Sequence, residues 1–255
     1  MSSSSSEPRA TTTPAANVPG QRLKVLLSVY ACEPNLSSEP GVGWHNVEQI
    51  SRYHDVWALT SPEHRAAIEK EMAVNPLPGV TWVYPEVRGW SNSNRGRRVH
   101  YYLWQYAAYR AAKQLHASVG FDVTHHITYV SYWTPSFLSQ LNIPFVWGPV
   151  GGAESAPHAF YATLEPKALR FERIRDAVRS VSHHLDPYVR RTARRAAASL
   201  ATTEETAVKM RELGARDVRI VPAIGLPEFE IRDLNALPMR AANGPFRVIR
   251  PSNSI

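Results

Sequence analysis

Three short segments of the sequence carry residue types that could take part in chemistry. Residues 121–128 read FDVTHHIT, residues 148–154 read GPVGGAE, and residues 31–44 read ACEPNLSSEPGVGW. An imidazole can hydrogen-bond a sugar hydroxyl or stabilise a leaving phosphate. Backbone amides in glycine-rich turns can bind anions. These segments therefore point towards polar or anionic ligands.

His125 and His126 follow the apolar part of a strand-like run. Adjacent strand residues point to opposite faces, so at most one of the two aims in a given direction, although twist at the end of a strand can bring either towards a crevice. The simpler alternative is one hydrogen-bonded core histidine beside one surface histidine. Metal binding is disfavoured, because no cysteine or second histidine at ligand spacing lies near them.

The segment with Gly41, Gly43 and Trp44 lies between an apolar run and a helical pattern. Glycines let a backbone approach a ligand closely, and amides at a helix N-terminus favour negative charge. The G-V-G-W pattern lacks the third glycine of the dinucleotide fingerprint, and no G-K-[ST] pair marks a P-loop. Two glutamates, Glu33 and Glu39, stand where an anion would approach. A pure turn remains the alternative.

The GPVGGAE segment offers consecutive amides around Gly151 and Gly152 after a buried run. Such amides can form an anion-binding nest, and a tight Gly-Gly turn is the alternative.

The elements that position these segments alternate between short apolar runs and amphipathic stretches. The apolar runs predict seven strands, LKVLLSVY, DVWALT, GVTWVYPEV, FDVTHHIT, IPFVWGPV, ASLATT and DVRIVPAIG. The intervening sequence predicts helices over VGWHNVEQISRY, PEHRAAIEKEMA, VHYYLWQYAAYRAAKQLHAS, TPSFLSQL, residues 167–198 with a break at Pro187, and TEETAVKMRELG. The alternation predicts an α/β fold with a doubly wound, mostly parallel sheet and helices on both faces. The three chemistry-bearing segments then fall at carboxyl ends of strands.

Particular residues are predicted to bound or fill these helices. Ser61 is expected to cap the second helix, and Gly120 and Gly214 to end two others. The aromatic residues of VHYYLWQYAAYRAAKQLHAS predict core packing, with a sugar-site border as the weaker alternative.

The composition restricts the class of protein. The chain has 255 residues and a formal net charge of +7. Its single cysteine, Cys32, excludes a disulfide framework and favours a reducing compartment. No apolar run approaches the roughly 20 residues needed to span a bilayer. The basic region 167–195 could lie against anionic headgroups or substrate phosphates, or simply be a solvated helix face. No nucleic-acid motif is present. These features predict a cytoplasmic location, with peripheral membrane contact at the inner face as an option.

Taken together, the segments resemble the N-terminal half of family-4 glycosyltransferases of the GT-B fold, from Arg22 to about Pro227. The resemblance is carried by VYACEPNLSSEPGVGW, FDVTHHIT, PFVWGPVGG and VRIVPAIG, in that order. It implies a Rossmann-like domain on the acceptor side of an enzyme that transfers a sugar from a nucleotide-sugar donor, usually with retention. It also implies a glycan or lipid-linked acceptor, the nucleotide-sugar as co-substrate, and no metal or other cofactor.

The same resemblance assigns expected roles to individual residues. His125 is expected to be the catalytic residue beside the reacting sugar, because DVTH parallels the family's Asp-apolar-apolar-His pattern, with Thr124 as a departure. The other expected residues are substrate-binding: Gly41, Val42, Gly43, Trp44, His126, Gly151, Gly152 and Glu154.

The resemblance also gives expected domain boundaries. Residues 1–21 are expected to be a disordered leader, residues 22–227 the acceptor-side domain, and residues 228–255 a linker with the start of a donor-binding domain at GPFRVI. The family's E-x7-E donor motif lies in that second domain, and the pairs Glu63/Glu71 and Glu204/Glu212 are discounted as chance matches. A chain that ends there is expected to be inactive, or nearly so, by itself.

Three competing functions follow from the same residues. One is a two-chain transferase that takes its donor half from a second polypeptide. Another is a binding module that holds a sugar or lipid phosphate without chemistry. A nicotinamide-dependent oxidoreductase is disfavoured, because the GxGxxG fingerprint is missing and no acidic residue stands directly at the end of the second strand, where LTSPEH begins.

Overall fold

The computed structural model describes residues 21–87, 89, 97–155, 158–225 and 228–236. The chain divides into two compact units, Met1–Ala223 and Ile224–Ile255. The predicted leader and the GPFRVI segment lie outside the described residues, apart from residue 21. In the described part of the chain, no helix is both long enough and apolar enough to cross a bilayer.

The first unit contains a seven-stranded sheet in which every neighbouring pair of strands is parallel. The strands are β1 (Lys24–Ser28), β2 (Asp55–Leu59), β3 (Val80–Val83), β4 (Val123–His126), β5 (Phe145–Val150), β6 (Ala196–Ala201) and β7 (Val218–Ile220). Their order across the sheet is β3-β2-β1-β4-β5-β6-β7. The predicted doubly wound α/β fold is confirmed.

Helices connect these strands in the pattern that parallel pairing requires. They are α1 (Ser38–Ser51), α2 (Arg65–Val74), α3 (Arg97–Val119), α4 (Pro166–Leu185), α5 (Pro187–Arg195) and α6 (Glu204–Glu212), and α7 (Glu228–Ala236) lies in the second unit. Single 3₁₀ segments span Pro62–His64, Phe137–Gln140 and His158–Thr163. Gly120 and Gly214 end α3 and α6 with positive φ angles, as predicted.

The sheet separates two hydrophobic cores. The first, which we call the α3 face, contains buried residues of α3, α5 and α6, including Trp104, Val189 and Met210. The second, the α1 face, contains residues of α1 and α2, including Trp44 and Ile68. Since successive strand residues alternate between faces, the register of β4 decides which core each histidine meets.

The register assigns the two histidines to different faces. His125 pairs with Leu27, which belongs to the α1 face, and His126 pairs with Ser28, between the α3-face residues Leu26 and Tyr30. His126 therefore lies against α3, whereas His125 lies on the opposite surface of the sheet.

The predicted core packing of the aromatic residues of α3 is correct for only part of them. Tyr101 and Trp104 are buried in the α3-face core. Tyr102 and Tyr106, which fall on the other side of the helix, are exposed.

Four local predictions were wrong. The segment 31–44 is a loop only as far as Ser37, because α1 already begins at Ser38; Pro40 fits the first turn, where its missing N–H needs no partner. Helix α5 ends at Arg195 rather than continuing to residue 198, since Ala196–Ala201 pair with β5. Ser61 makes no side-chain capping bond. The predicted helix TPSFLSQL is only a 3₁₀ turn, over Phe137–Gln140.

Candidate functional site

The order of the strands defines where a ligand site is expected. The sequence order of the strands reverses between β1 and β4, so the connections leave these neighbouring strands towards opposite faces. In open parallel sheets, ligands bind outside the carboxyl ends of the strands at such a switch point. His125 and His126 are the last two residues of β4, and the loop 29–37 follows β1.

The loop after β4 brings the three sequence-predicted segments together. Ala31 N–H donates to Thr128 Oγ1, and Tyr129 N–H donates to a carboxylate oxygen of Glu39 in the first turn of α1. On its other side, the same loop bonds to Gly151, whose carbonyl accepts from Tyr132 N–H. The predicted segments therefore form one continuous edge.

His125 is half-buried and makes one hydrogen bond to the part of the protein that the structure describes. Its Nε2 lies 2.7 Å from the carbonyl oxygen of Gly148 on β5. A carbonyl only accepts, so Nε2 carries the proton and Nδ1 carries the lone pair in the neutral ring. Burial lowers the pKa of His125 to about 4, although the bond to Gly148 acts in the opposite direction.

A neutral His125 limits the chemistry available at this position. Near neutral pH the ring bears no positive charge, so it cannot neutralise a departing phosphate. Its Nδ1 can accept a hydrogen bond from a sugar hydroxyl, which is the other role that the sequence allowed. The geometry therefore favours orientation of a hydroxyl over stabilisation of an anion.

His126 differs from its neighbour because both of its ring nitrogens are already engaged. Nε2 lies 2.9 Å from Tyr101 Oη and Nδ1 lies 2.8 Å from Ser136 Oγ, and the residue is 2% exposed. Burial, with a smaller contribution from His125, lowers the pKa of His126 to about 3. A ligand could reach its nitrogens only by breaking bonds inside the α3-face core.

Glu33, in the loop after β1, and Glu39, in the first turn of α1, both bond to the protein itself. Glu33 Oε2 lies 2.7 Å from Nδ1 of the buried His64. Glu39 accepts the amide of Tyr129, as described above. These carboxylates hold the loop against its neighbours, which explains why a segment at a ligand edge contains them.

The glycines of the same segment allow close packing between helix and loop. A Cβ on Gly41 would lie 2.1 Å from the carbonyl oxygen of Leu36, and one on Gly43 would lie 2.1 Å from that of Ala31. Val42 and Trp44 direct their side chains into the α1-face core, where Trp44 stacks on Trp82. The structure thus explains these four residues by packing, and contact with a substrate stays a prediction.

An amide of the GPVGGAE segment already binds a carboxylate of the same segment, that of Glu154. Gly152 N–H donates to Glu154 Oε2, and the hydroxyls of Thr203 and Thr206 donate to Glu154 Oε1. Burial alone would raise the pKa of Glu154, but these hydrogen bonds outweigh it and hold the pKa below the ordinary value. Gly152 has φ of +97° and Gly151 packs against Thr202. A substrate anion at this turn would compete with Glu154.

Sequence reasoning missed a polar and aromatic cluster beside the switch point. Tyr30 Oη lies 2.9 Å from His100 Nδ1 on α3, and the Tyr30 ring packs edge-on against Tyr129. Arg97, at the start of α3, hydrogen-bonds the Tyr129 side chain, which raises the pKa of the guanidinium. No signal in the sequence marked these residues, because they come from three separate elements.

The loops at the switch point and the first residue of α1 include residues in an unfavourable backbone conformation. Asn35, Ser38 and Tyr129 have φ of 60°, 62° and 59°, in the left-handed region that non-glycine residues rarely occupy. Strain of this kind costs on the order of 1–3 kcal/mol per residue and concentrates at functional sites. It supports the same edge as the strand order does.

Other parts of the described chain offer weaker candidates. A cavity of about 500 Å³ opens at the amino edge of the sheet, lined by Arg22, Asp55 and Gly79 among others, and it contains none of the predicted site residues. We attach more weight to the carboxyl edge, because the switch point and the chemistry-bearing residues coincide there. Within the described ranges, no group of three or more His, Cys, Asp or Glu side chains could hold a metal ion.

Comparisons with known proteins gave one structural likeness that we report. No protein-family model and no curated protein matches the chain. The chain is similar to the crystal structure of UGT73P12 from Glycyrrhiza uralensis complexed with glycyrrhetinic acid 3-O-monoglucuronide, with a TM-score of 0.44 and 11% sequence identity. The likeness covers 80% of this chain and 49% of that one, so this chain spans about half of its length.

Proposed function

We propose that this chain supplies the acceptor-side domain of a retaining, family-4-like glycosyltransferase. The enzyme would transfer a sugar from a nucleotide-sugar donor to a glycan or lipid-linked acceptor. The observation that carries the proposal is that His125, near the end of β4, and the loop after β1 both lie at the switch point between β1 and β4. Parallel sheets of this kind bind ligands at that point.

In this proposal His125 orients the reacting sugar. The Nε2–H group of its neutral ring donates a hydrogen bond to the carbonyl oxygen of Gly148. Its Nδ1 accepts a hydrogen bond from a hydroxyl of the sugar. Fixing the sugar in this way reduces the entropy that must be lost when the reactants meet. The positive charge that a departing diphosphate requires would come from other groups, which we assign to a second, donor-binding domain.

The remaining predicted residues have supporting roles in this proposal. Gly41, Val42, Gly43 and Trp44 would position the helix N-terminus near the substrates, and Gly151, Gly152 and Glu154 would shape the acceptor side. His126 would not contact the substrates directly, and its hydrogen bonds would hold the neighbouring part of the site in place. The nucleotide-sugar is a co-substrate, no metal takes part, and peripheral contact with an anionic membrane would serve a lipid-linked acceptor.

The experiment that tests the proposal is sugar transfer by the natural protein that carries this chain. Labelled UDP- and GDP-sugars are supplied with lipid and oligosaccharide acceptors, and transfer is compared for the unchanged protein, His125→Ala and a matched control, His54→Ala. We expect His125→Ala to lower kcat about 100-fold, the size of effect that the loss of a substrate-positioning group can have. His54 lies just before β2, at the amino edge, and its loss should leave kcat unchanged.

Two results would contradict the proposal. Absence of both transfer and nucleotide-sugar binding with every donor would exclude the reaction class. Full activity of His125→Ala would remove this residue from the site while leaving the reaction class intact.

One observation favours a binding module as the second candidate. His126, Gly152 and Glu154 already bond to the protein's own groups, which leaves few polar atoms at this edge for chemistry. A sugar or lipid phosphate held without turnover would fit. Saturable binding of a glycan acceptor with no transfer from any nucleotide-sugar would favour this candidate.

A further inference from the structure

Helix α4 is oriented opposite to the usual arrangement of a surface helix. An amphipathic helix normally buries its apolar stripe against the core. Here the apolar stripe points outward, formed by Phe171, Ile174, Val178, Val181 and Leu185, which are 55%, 53%, 46%, 57% and 74% exposed. No residue of α4 belongs to either core among the described residues.

The face of α4 that points towards the rest of the domain is charged. Glu172 pairs with Arg175, and Asp176 accepts from the hydroxyl of Tyr161. Arg179 donates to the carbonyl oxygen of Glu154. Polar contacts therefore fix the orientation of the helix, and its acidic side chains are used on the inner side.

The outward stripe is continuous and regular. Its residues follow one another at spacings of three and four, which keeps them on one side of an α-helix. From Phe171 to Leu185 the stripe is about 21 Å long at 1.5 Å per residue. A contiguous exposed apolar surface of this kind marks an interaction site.

Basic side chains lie beside the amino end of the stripe. Lys167, Arg170 and Arg173 are exposed, and in the described part of the chain none of them lies within ion-pair distance of a carboxylate. Arg170 and Arg173 also line a shallow depression of about 330 Å³ together with Ile174. The outer side of α4 thus combines apolar side chains with uncompensated positive charge.

We infer that this outer side of α4 binds the surface of an anionic lipid bilayer. The stripe would enter the boundary between headgroups and acyl chains, while Lys167, Arg170 and Arg173 contact lipid phosphates. The inference rests on the proposed function only in that a lipid-linked acceptor would place the enzyme at a membrane.

Charge complementarity selects a lipid surface over a second copy of the chain. Two α4 helices packed in parallel through the stripe would bring both sets of these cations together. Packed antiparallel, each set would meet the other end of α4, where the carboxylate of Asp186 already accepts the amides of Tyr188 and Val189 as the cap of α5. An anionic surface, in contrast, attracts every one of these charges.

The test is co-sedimentation of the full chain with vesicles. Sucrose-loaded vesicles of phosphatidylcholine with phosphatidylglycerol are compared with vesicles of phosphatidylcholine alone. We expect binding to the anionic vesicles only, reduced about tenfold or more by Val178→Glu with Val181→Glu. The matched control is Val74→Glu with Val208→Glu, which makes the same change at exposed valines of α2 and α6 and should bind like the unchanged chain.

A second variant tests the charges. Replacing Lys167, Arg170 and Arg173 by Gln should weaken binding to phosphatidylglycerol vesicles and make the remainder less sensitive to salt. No binding by the unchanged chain would overturn the inference, as would equal loss in the control pair or full binding by Val178→Glu with Val181→Glu. A dimer in light scattering that only the stripe variant dissociates, without vesicle binding, would identify a second copy as the partner instead.

These outcomes can be separated from failure of the proposed function. Vesicle binding needs no nucleotide-sugar, and transfer to an oligosaccharide acceptor needs no vesicle. Loss of one with retention of the other assigns the failure to a single proposal.

Discussion

The two neighbouring histidines of β4 lie on opposite faces of the sheet and have different surroundings. On the α3 face, His126 is enclosed and bonds through both nitrogens to Tyr101 and Ser136. On the α1 face, the hydrogen bond that His125 makes within the described residues is to the backbone carbonyl of Gly148. The residue types are identical, so the difference comes entirely from what the register places beside each ring. One ring is part of the core, and the other keeps a free acceptor at the switch point.

The largest expected effect tests whether α3 packs into the core of the α3 face. Trp104 is 0% exposed in α3, so Trp104→Ala should lower the free energy of unfolding by about 3–5 kcal/mol. Tyr106→Ala, on the exposed side of the same helix, should change it by less than about 0.5 kcal/mol. Urea denaturation measures both. Similar losses in the two variants would show that α3 does not pack as described.

The second test uses the pH dependence of stability. Both histidines have folded-state pKa values, about 4 and about 3, below the ordinary value of 6.5. Below pH 6.5 the unfolded chain therefore binds protons that the folded chain does not. Stability should be full above pH 6.5 and should fall as the pH drops from 6.5 to 4, by up to about 3 kcal/mol for each of the two histidines.

A variant isolates the share of this pH effect that belongs to His126. His126→Gln removes one titrating group, so the decline should lessen by about 1.4 kcal/mol per pH unit over this range. Gln114→Ala, which removes no titrating group from an exposed position of α3, should keep the original slope. An unchanged slope in His126→Gln would mean that the ring is not held neutral by burial.

The third test concerns the glycines beside the α1 face. Gly43→Ala would place a Cβ 2.1 Å from the carbonyl oxygen of Ala31, so it should destabilise the fold by about 1–3 kcal/mol. Gly225→Ala meets no atom within 4 Å and serves as the control. Thermal unfolding distinguishes them. If Gly43→Ala kept full stability, the packing role assigned to this glycine would be wrong.

The smallest expected effect is on the outer side of α4. Val178→Glu with Val181→Glu should change the free energy of unfolding by less than about 0.5 kcal/mol, because both valines are exposed and outside either core. Urea denaturation of the same protein used for vesicle binding checks this. A large loss would mean that the stripe is buried by the folded chain itself.

The arrangement of strands could be predicted from the sequence, but several boundaries could not. Buried parallel strands are visible in the sequence as short apolar runs. Because these runs alternate with helices, few arrangements of the strands in the sheet are possible. The boundary at Ala196 was missed because three alanines favour a helix by propensity, while pairing with β5 overrides that preference. The start of α1 at Ser38 was missed because Pro40, Gly41 and Gly43 are poor helix residues that packing accommodates here.

The candidate site was only partly accessible to sequence reasoning. The histidine pair and the glycine segments could be placed at strand ends, since that requires only the order of elements. Which histidine faces α3 depends on register with β1, which the sequence does not reveal. The partners of Glu33 and Glu39 and the cluster around Tyr30 are contacts between distant segments, and no local pattern encodes them.

The most direct measurement compares His125→Asn and His126→Asn in the natural protein that carries this chain, with transfer from nucleotide-sugars and the free energy of unfolding followed in both. His125→Asn should lose most of the kcat with little change in stability. His126→Asn should lose about 1–3 kcal/mol of stability, because the bonds to Tyr101 and Ser136 are disturbed. Its kcat should be largely kept at a temperature where it remains folded. Equal loss of kcat in the two variants, or a larger loss in His126→Asn, would contradict the assignment of the reacting sugar to His125.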